Sequence, residues 1–457
     1  MSESTSALQP ANFPPEEFAE RRRQLAARLE PGDAALVAGA VAPPGLEAFR
    51  QYNDFHYLSG VLEPGNYLLI TAPAATTTLY LPPRDERSAN NEGEPLSSDD
   101  PATARRQTGV EAVRSVASLA EDLAGLRRLY TVQAPAEGRF VSRGVAREAA
   151  ERRTADPWAN HESPEAHFVG LLRSRYPELD IRDLAPPLED LRLVKSAREI
   201  DLLRRAGRLS AIATVEAMRT TRIGAYEHQL AAVADYVFRV NSADGQAYAP
   251  IIATGAHLWY AHWNRLTGQL ADGDLVLMDC APDLGYYTSD IGRIWPANGT
   301  FTAVQRELYG YVLTYHETLL RLLRPGATST EILAEAAIEM RAVADRTEFS
   351  KPVYRKAALR MLTYDGHLSH TVGMAVHDVG EYAGRPLASG IVFAVDPIMW
   401  VPEERVYIRV EDTIAITADG IEVFTEEAPR GIEAIEALVQ GRGMLQAYPP
   451  LGAGDPR

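Results

Sequence analysis

The sequence predicts a mixed α/β (α+β) protein in which a larger, internally duplicated domain follows an amino-terminal α/β domain. The first sign of duplication is a repeated strand pattern: Gly273 precedes an apolar run that ends on Asp279, and Gly390 precedes a similar run that ends on Asp396. Each run has the length and flanks of a buried strand. A pair of helix patterns precedes each run, so the two halves follow one plan.

The helix pairs are marked by their starting residues. Ser196 with Glu199 forms a capping box, in which each side chain satisfies a free backbone N–H at the start of a helix. Thr302 with Gln305 has the same pattern in the second half. A partner helix is expected at 226–240 in the first half, and another is expected to start by Glu331 in the second.

The predicted domain limits come from the alternation of helix and strand patterns and from proline. Alternation up to about residue 184 predicts an amino-terminal domain over 15–187, ending at Ala185-Pro186-Pro187. The duplicated domain is expected over 188–440. Residues 1–14 are predicted to be a flexible tail and 441–457 a carboxy-terminal tail.

Two stretches of the amino-terminal domain are harder to assign. Residues 85–109 are charged and are predicted to form a loop. The aromatic cluster around Phe55 is most simply core and turn packing, and a role in shaping a substrate site is the alternative.

Composition narrows the class of protein. The chain of 457 residues is 46% apolar and has no apolar run of 18 residues, which predicts a soluble protein without a membrane span. The net charge of −16 argues against a nucleic-acid partner. The single cysteine, Cys280, excludes an internal disulfide and favours a reducing cytoplasm. It is read as a small buried hydrophobe, with a thiol ligand or nucleophile as the alternative. The preference for arginine over lysine suggests a bacterial source.

Four acidic residues in strand-like runs point to a bound cation. Asp279 and Asp396 end their apolar runs, while Asp290 and Glu411 lie in the strand-like run that follows each. A single such Asp could cap a turn or pair with an arginine. Because an isolated buried carboxylate costs several kcal/mol, two on adjacent strands indicate a shared cation. The two-residue period of a strand also places Arg409 and Glu411 on one face.

Histidines are concentrated near these acids. The segments 254–264 and 366–378 hold five of the ten histidines, among them His262, His370 and His377. A lone histidine is more often a satisfied polar residue than a ligand. Five in two short segments, in a chain with four candidate acids, favour a site.

The ordered acids and one histidine resemble the ligand set of a known family. The set resembles the five metal ligands of the pita-bread (M24-type) metallopeptidases, which include methionine aminopeptidase, Xaa-Pro aminopeptidase and prolidase: Asp279, Asp290, His370, Asp396 and Glu411. Residues 285–291 are similar to the family's second-ligand strand and 376–380 to its histidine-aspartate turn. Residues 50–65 and 193–199 are similar to the amino-terminal domain and linker helix of Xaa-Pro aminopeptidases and creatinases.

The resemblance implies both fold and chemistry. It implies a creatinase/prolidase-like amino-terminal domain and a pseudo-twofold pita-bread catalytic domain. It also implies two divalent ions, Mn²⁺ first and Co²⁺, Zn²⁺ or Fe²⁺ next, bridged by Asp290 and Glu411 around an attacking hydroxide. His262 and His377 would hold the substrate carbonyl and the leaving nitrogen, and Arg409 would orient Glu411. The implied substrates are peptides with proline second, and the implied assembly is a homo-oligomer, a dimer or tetramer.

The chain departs from the family pattern at two places. Asp396-Pro397-Ile398 stands where Glu-Pro-Gly is usual, which shortens a ligand that also supports proton shuttling, and Gly366-His367 replaces a His-Gly pair. One alternative is an Xaa-Pro dipeptidase (prolidase), and another, which the change at Asp396 would permit, is a hydrolase or lyase of a small non-peptide substrate. A non-enzymatic binding protein is disfavoured, because every ligand position keeps a metal-binding side chain.

Overall fold

A computed structural model of the chain describes residues 12–43 and 48–450. The chain divides into two compact units, Met1–Arg192 and Leu193–Arg457. Most of the predicted flexible tail, residues 1–11, lies outside the described residues, as do residues 451–457 of the predicted carboxy-terminal tail.

The first unit is built on a six-stranded mixed sheet. Its helices are α1 Pro15–Ala26, α2 Asn53–Ser59, α3 Glu86–Glu92, α4 Pro101–Thr108, α5 Leu119–Leu123, α6 Arg143–Ala155, α7 Pro164–Arg175 and α8 Ala185–Leu193. Its strands are β1 Ala34–Ala38, β2 Tyr67–Thr71, β3 Thr76–Leu81, β4 Ala112–Ser115, β5 Arg128–Thr131 and β6 Asp180–Asp183. The strand order is β4-β3-β2-β1-β5-β6, with β2 antiparallel to both neighbours and the other pairs parallel.

One local prediction for this unit was wrong. Residues 85–109, predicted as a loop, contain α3 and α4, and each helix begins after an aspartate that caps it: Asp85 accepts from Ser88 N and Asp100 from Thr103 N. The domain boundary at Ala185-Pro186-Pro187 stays a prediction, and these residues form the first turn of α8. Proline is tolerated there, because the first N–H groups of a helix have no intrahelical partner.

A buried ionic cluster is the main polar feature of the first unit. Asp54 on α2 binds two arginines: its Oδ1 lies 2.7 Å from Arg192 Nη1, and its Oδ2 accepts from Arg143. Glu137 pairs with the same two guanidinium groups. Burial alone would raise the pKa of Asp54, but the charges and hydrogen bonds of Arg143 and Arg192 outweigh burial and lower it. Asp54 is therefore ionised in the folded protein.

The second unit contains one larger antiparallel sheet and a β-ribbon. Its helices are α9 Ala197–Thr220, α10 Glu227–Val240, α11 Ala303–Leu322, α12 Ser329–Arg346, α13 Pro352–Met361, α14 Ile432–Val439 and α15 Met444–Ala447. Its strands are β7 Ile251–Thr254, β8 Leu275–Asp279, β9 Ile291–Pro296, β10 Val392–Val395, β11 Ile398–Val401, β12 Val406–Arg409, β13 Glu411–Ile416 and β14 Ile421–Val423. The sheet order is β10-β13-β9-β8-β7, with β14 also paired to β13, and β11 pairs β12 separately.

The pseudo-twofold plan is present in this unit. Helices α9 and α10 pack together in the first half, as α11 and α12 do in the second. The predicted capping boxes form at Ser196 and Thr302. Gly273 and Gly390 precede matched strands with φ of 83° and 94°, a left-handed conformation that favours glycine. The halves join where β9 pairs antiparallel with β13, so acids from both reach one place.

One strand prediction in this unit was wrong in detail. The stretch predicted as a single strand through Arg409 and Glu411 is two strands: β12 ends at Arg409 in the ribbon, and β13 begins at Glu411 in the sheet. Val410 lies between them. The predicted proximity nonetheless exists, since Arg409 Nη2 lies 2.6 Å from Glu411 Oε2.

The described part of the predicted carboxy-terminal tail contains regular structure. Helix α15 lies within it, and Met444 N donates to Thr220 Oγ1 at 3.0 Å. Gln446 Nε2 donates to the carbonyl of Thr220. Residues 443–446 are thus attached to the end of α9. In the described residues, every helix is too short or too polar to cross a membrane.

The ionic cluster of the first unit gives a prediction for stability. Asp54→Asn is expected to lower the free energy of unfolding by about 3 kcal/mol at pH 7, because it leaves buried arginines with one fewer counter-charge. The folded-state pKa of Asp54 is depressed, so its contribution is present above the unfolded pKa of about 3.9 and is lost as the pH falls below it. Urea unfolding of the whole chain between pH 7 and pH 3 measures the difference.

The matched control is Glu148→Gln, which removes an exposed i,i+4 pair with Arg152. It is expected to change the free energy of unfolding by less than about 0.5 kcal/mol. Equal stabilities of wild type and Asp54→Asn at pH 7 would contradict the importance of the cluster.

Candidate metal centre

The four acids lie at corresponding strand ends in the two halves. Asp279 is the last residue of β8 and Asp290 immediately precedes β9, whereas Asp396 immediately follows β10 and Glu411 is the first residue of β13. Asp279 and Glu411 both face Gly292 of β9 across the two neighbouring strand pairs. The sheet register, set by apolar packing on both faces, therefore fixes where these carboxylates converge.

Three of the five predicted ligands form one compact group, which we call the ligand cluster: Asp290, His370 and Glu411. One potential ligand atom from each lies within 4.8 Å of the others. His370 Nε2 lies 3.2 Å from Asp290 Oδ2 and 3.9 Å from Glu411 Oε1. One acid comes from the first half of the duplication and the other from the second.

The other two predicted ligands are held by Arg409. Its Nη1 donates to Asp279 Oδ2 at 2.6 Å, and its Nε and Nη2 form a fork on Asp396 at 2.9 and 2.7 Å. With the contact to Glu411, one guanidinium binds three of the four carboxylates. Arg409 was predicted to orient Glu411 alone, so its contacts extend beyond that prediction.

Tyr248 is a part of the centre that the sequence did not reveal. Its hydroxyl lies 2.6 Å from Asp279 Oδ1 and 2.8 Å from Asp290 Oδ1. A phenol has one proton to donate, so the two contacts fit best when a proton is shared between the carboxyls. Tyr248 precedes β7 in a stretch without regular structure, and no local period marks it.

Burial and mutual repulsion raise the pKa values of the acids, and the neighbouring His370 and Arg409 oppose that rise. Burial first, then the charge of Asp290, raises the pKa of Asp279 against the opposing charge of Arg409. Burial and the neighbouring acids likewise raise the pKa of Glu411. Burial would also raise the pKa of Asp290, but its bond to His370 and the charges of His370 and Arg409 lower it. Neighbouring carboxylates that cannot all ionise freely are typical of metal sites and of acid–base centres.

The two candidate catalytic histidines lie beside the ligand cluster. The rings of His370 and His377 have centroids 4.0 Å apart. Burial, and then the charge of His370, lowers the pKa of His377 to about 4. His262 is near enough for Arg409, Asp290 and Asp396 to act on its pKa, which is lowered first by partial loss of hydration, although the residue is exposed, and then by the charge of Arg409. Cys280 is buried, in agreement with its interpretation as a small hydrophobe.

The residues present fit a divalent cation. Glu411 is fully buried: its Oε2 is in contact with Arg409, whereas its Oε1 has no hydrogen-bond partner among the described residues. A Cβ on Gly292 would lie 3.0 Å from Glu411 Oε2, so glycine keeps open the space in front of this oxygen. Carboxylate oxygens with one imidazole nitrogen are the donors preferred by Mn²⁺ and similar ions.

The duplicated fold and this donor set define a metal-dependent hydrolase of the pita-bread class. Residues 201–418 match metallopeptidase family M24, and residues 18–131 match the amino-terminal domain of aminopeptidase P. The chain belongs to metallopeptidase family M24.

Similarity extends along nearly the whole chain. Xaa-Pro aminopeptidase of Escherichia coli is 31% identical over 93% of this chain and 97% of that protein. Xaa-Pro aminopeptidase 3 of Mus musculus is 30% identical over 85% of this chain and 76% of its own. The structure of aminopeptidase P from E. coli with the inhibitor Pro-Leu has a TM-score of 0.75 at 30% identity and covers 94% of this chain and 98% of that chain.

The ligand cluster gives a prediction for metal binding. Asp290→Ala is expected to abolish tight binding of a divalent metal ion, because it removes the acid bonded to His370 and leaves a single carboxylate in the cluster. Elemental analysis and calorimetric titration of the purified variant measure the loss.

Asp272→Ala is the control, since Asp272 is an exposed acid that precedes β8 and lies outside the ligand cluster. It is expected to bind metal as the wild type does. Wild-type metal content in Asp290→Ala would place the ion elsewhere.

Proposed function

We propose that the protein is an Xaa-Pro aminopeptidase, which hydrolyses the bond between an amino-terminal residue and a following proline. The observation that carries this proposal is the end-to-end similarity to the E. coli enzyme of that name, which includes the amino-terminal domain as well as the catalytic one. The ligand cluster supports it, because this chain retains the acids and the imidazole that a metallopeptidase requires.

The proposed cofactors are two divalent ions per chain, Mn²⁺ first and Co²⁺, Zn²⁺ or Fe²⁺ next. Asp290 and Glu411, one from each half, are proposed to contact both ions, with Asp279, His370 and Asp396 completing the set. Bound ions would supply a water nucleophile of lowered pKa and polarise the scissile carbonyl. The alternating placement of the acids at paired strand ends supports this assignment.

The chain's own residues are proposed to position the peptide and move protons. His262 and His377 flank the ligand cluster and offer imidazole nitrogens that can donate to the substrate carbonyl or bind the leaving nitrogen. Arg409 orients three carboxylates at once, so that their oxygens face one centre. Asp396 is the proposed proton carrier, since its carboxylate adjoins this centre.

Two enzymatic alternatives differ in substrate. A prolidase would accept only Xaa-Pro dipeptides, and a hydrolase or lyase of a small non-peptide substrate would accept neither peptide class. A non-enzymatic binding protein is disfavoured by the ligand cluster. We also propose that the protein is bacterial and cytoplasmic and that it forms a dimer or tetramer. The arginine-rich composition supports a bacterial source, and the single, buried thiol supports a cytoplasmic location.

The proposal predicts a sharp preference for proline. With Mn²⁺ added, peptides of three or more residues with proline second are expected to be cleaved at least about 100-fold faster than matched peptides with alanine second, a difference of about 2.7 kcal/mol in transition-state binding. Mass spectrometry of the products measures the rates. Equal rates on both sets would refute the assignment, and cleavage confined to dipeptides would indicate a prolidase.

Asp396 gives a second prediction, because the family usually has glutamate there. The fork from Arg409 engages both carboxylate oxygens, so the site is proposed to be adapted to the shorter side chain. Asp396→Asn is expected to abolish turnover, and Asp396→Glu to reduce kcat about tenfold by crowding Arg409. Rates at saturating Mn²⁺ measure both variants.

The opposite view treats Asp396 as a defect of the site. On that view Asp396→Glu should raise metal affinity and kcat together. A faster Glu variant would defeat the adaptation argued here.

A further inference from the structure

The segment that carries His262 has little regular structure to fix it. Between β7 and β8 the chain forms one short 3-10 helix, Gly255–Trp259, and then turns until strand β8. His262 itself is exposed, in the wall of an open cavity of about 620 Å³. Packing of its own side chain therefore does not define where this imidazole lies.

One buried carboxylate, that of Glu227, holds the segment in place through hydrogen bonds. Glu227, the first residue of α10, is 0% exposed and accepts four hydrogen bonds from this part of the chain. Oε1 accepts from Thr254 N at 2.8 Å and from His257 Nδ1 at 3.0 Å. Oε2 accepts from Trp263 Nε1 at 2.9 Å and from Gly268 N at 2.7 Å. These four donors fill the lone-pair sites of one carboxylate.

The four bonds are distributed along the segment. Thr254 and Gly268 lie at its two ends, while His257 and Trp263 lie between them and stack with ring centroids 3.8 Å apart. Trp263 directly follows His262 in the sequence. A Cβ on Gly268 would lie 2.4 Å from Glu227 Oε1, so the backbone approaches the carboxylate as closely as glycine allows. Because Glu227 is the first residue of α10, the helix dipole also stabilises a negative charge on its side chain.

We propose that Glu227 is a positioning residue. Its carboxylate binds the two ends and the middle of the segment 254–268 and thereby fixes His262 beside the ligand cluster. This inference rests on the proposed role of His262 in peptide hydrolysis. A small displacement of a positioned group is enough to cost about 100-fold in rate. Glu227 would act through His262 without contact with substrate or metal.

The decisive variant is Glu227→Gln, which keeps the shape but turns one acceptor into a donor. Two of the four N–H donors then lose their acceptor, so the segment should loosen. We expect kcat/KM on a proline-second peptide to fall about 100-fold with metal content unchanged. Deuterium exchange of peptides covering 254–268 should rise. Asp235→Asn, which breaks an exposed pair with Arg239 on the same helix, should change neither.

A double-mutant cycle separates positioning from a general structural role. In a His262→Ala background, Glu227→Gln is expected to cause less than a twofold further loss, because its effect passes through the missing imidazole. A full, additive loss in that background would overturn the inference. Wild-type activity and wild-type exchange in Glu227→Gln would overturn it as well.

A second variant covers the case in which Glu227→Gln does not fold, and hydrogen exchange covers the case in which the wild type is inactive on these peptides. If Glu227→Gln does not fold, Trp263→Phe removes the bond to Glu227 next to His262 while keeping an aromatic ring against His257, and it should lower kcat/KM about fivefold, again only when His262 is present. Unchanged kcat/KM in Trp263→Phe would then contradict the proposal. If the wild type cleaves no proline-second peptide, the proposed function fails, and the exchange of 254–268 still tests whether Glu227 fixes the segment.

Discussion

The repulsion among four carboxylates, three buried and that of Asp396 partly buried, is the constraint on which the rest of the catalytic domain depends. Each uncompensated charge in a buried site would cost several kcal/mol, so the surrounding chain must supply partners. Arg409 binds three of the four, His370 bonds to the remaining one, Asp290, and Tyr248 joins Asp290 to its neighbour Asp279. Oε1 of Glu411 is nevertheless buried without a hydrogen-bond partner among the described residues, which is the clearest sign of a site built for a cation.

The duplicated topology explains how one centre obtains acids from distant parts of the sequence. Strand β9 belongs to the first half and β13 to the second, and their antiparallel pairing places Glu411 opposite Gly292. Strand β8 places Asp279 opposite the same glycine from the other side. Because a side chain at position 292 would meet Arg409 and Glu411 at 3.0 Å, the glycine is needed where the acids converge. The helix pairs of the two halves complete the repeated plan.

The sequence predicted correctly those strands and helix starts that a local apolar run or a local capping interaction marks. Apolar runs that end on acids identified the strands around Asp279 and Asp396, and capping boxes identified helix starts such as Ser196. It missed Tyr248, whose carboxylate partners lie 31 and 42 residues away, because long-range packing leaves no local pattern. It joined β12 to β13 because alternation continues through Val410, although the two strands pair with different partners. It left Glu227 unassigned for the same reason as Tyr248.

The first residues of β13 show how one strand serves stability and chemistry together. Glu411 belongs to the ligand cluster, while the next residue, Asp412, pairs with buried Arg293 at 2.6 Å. Arg293 also donates to the carbonyl of Glu411, so the ion pair holds the backbone that carries this acid. Thr413 then fixes Asp290 from the neighbouring strand, since its hydroxyl accepts from Asp290 N and donates to Asp290 O. A carboxylate that must face a cation needs a backbone held in place, and the bonds of Asp412 and Thr413 give β13 and its neighbour that rigidity.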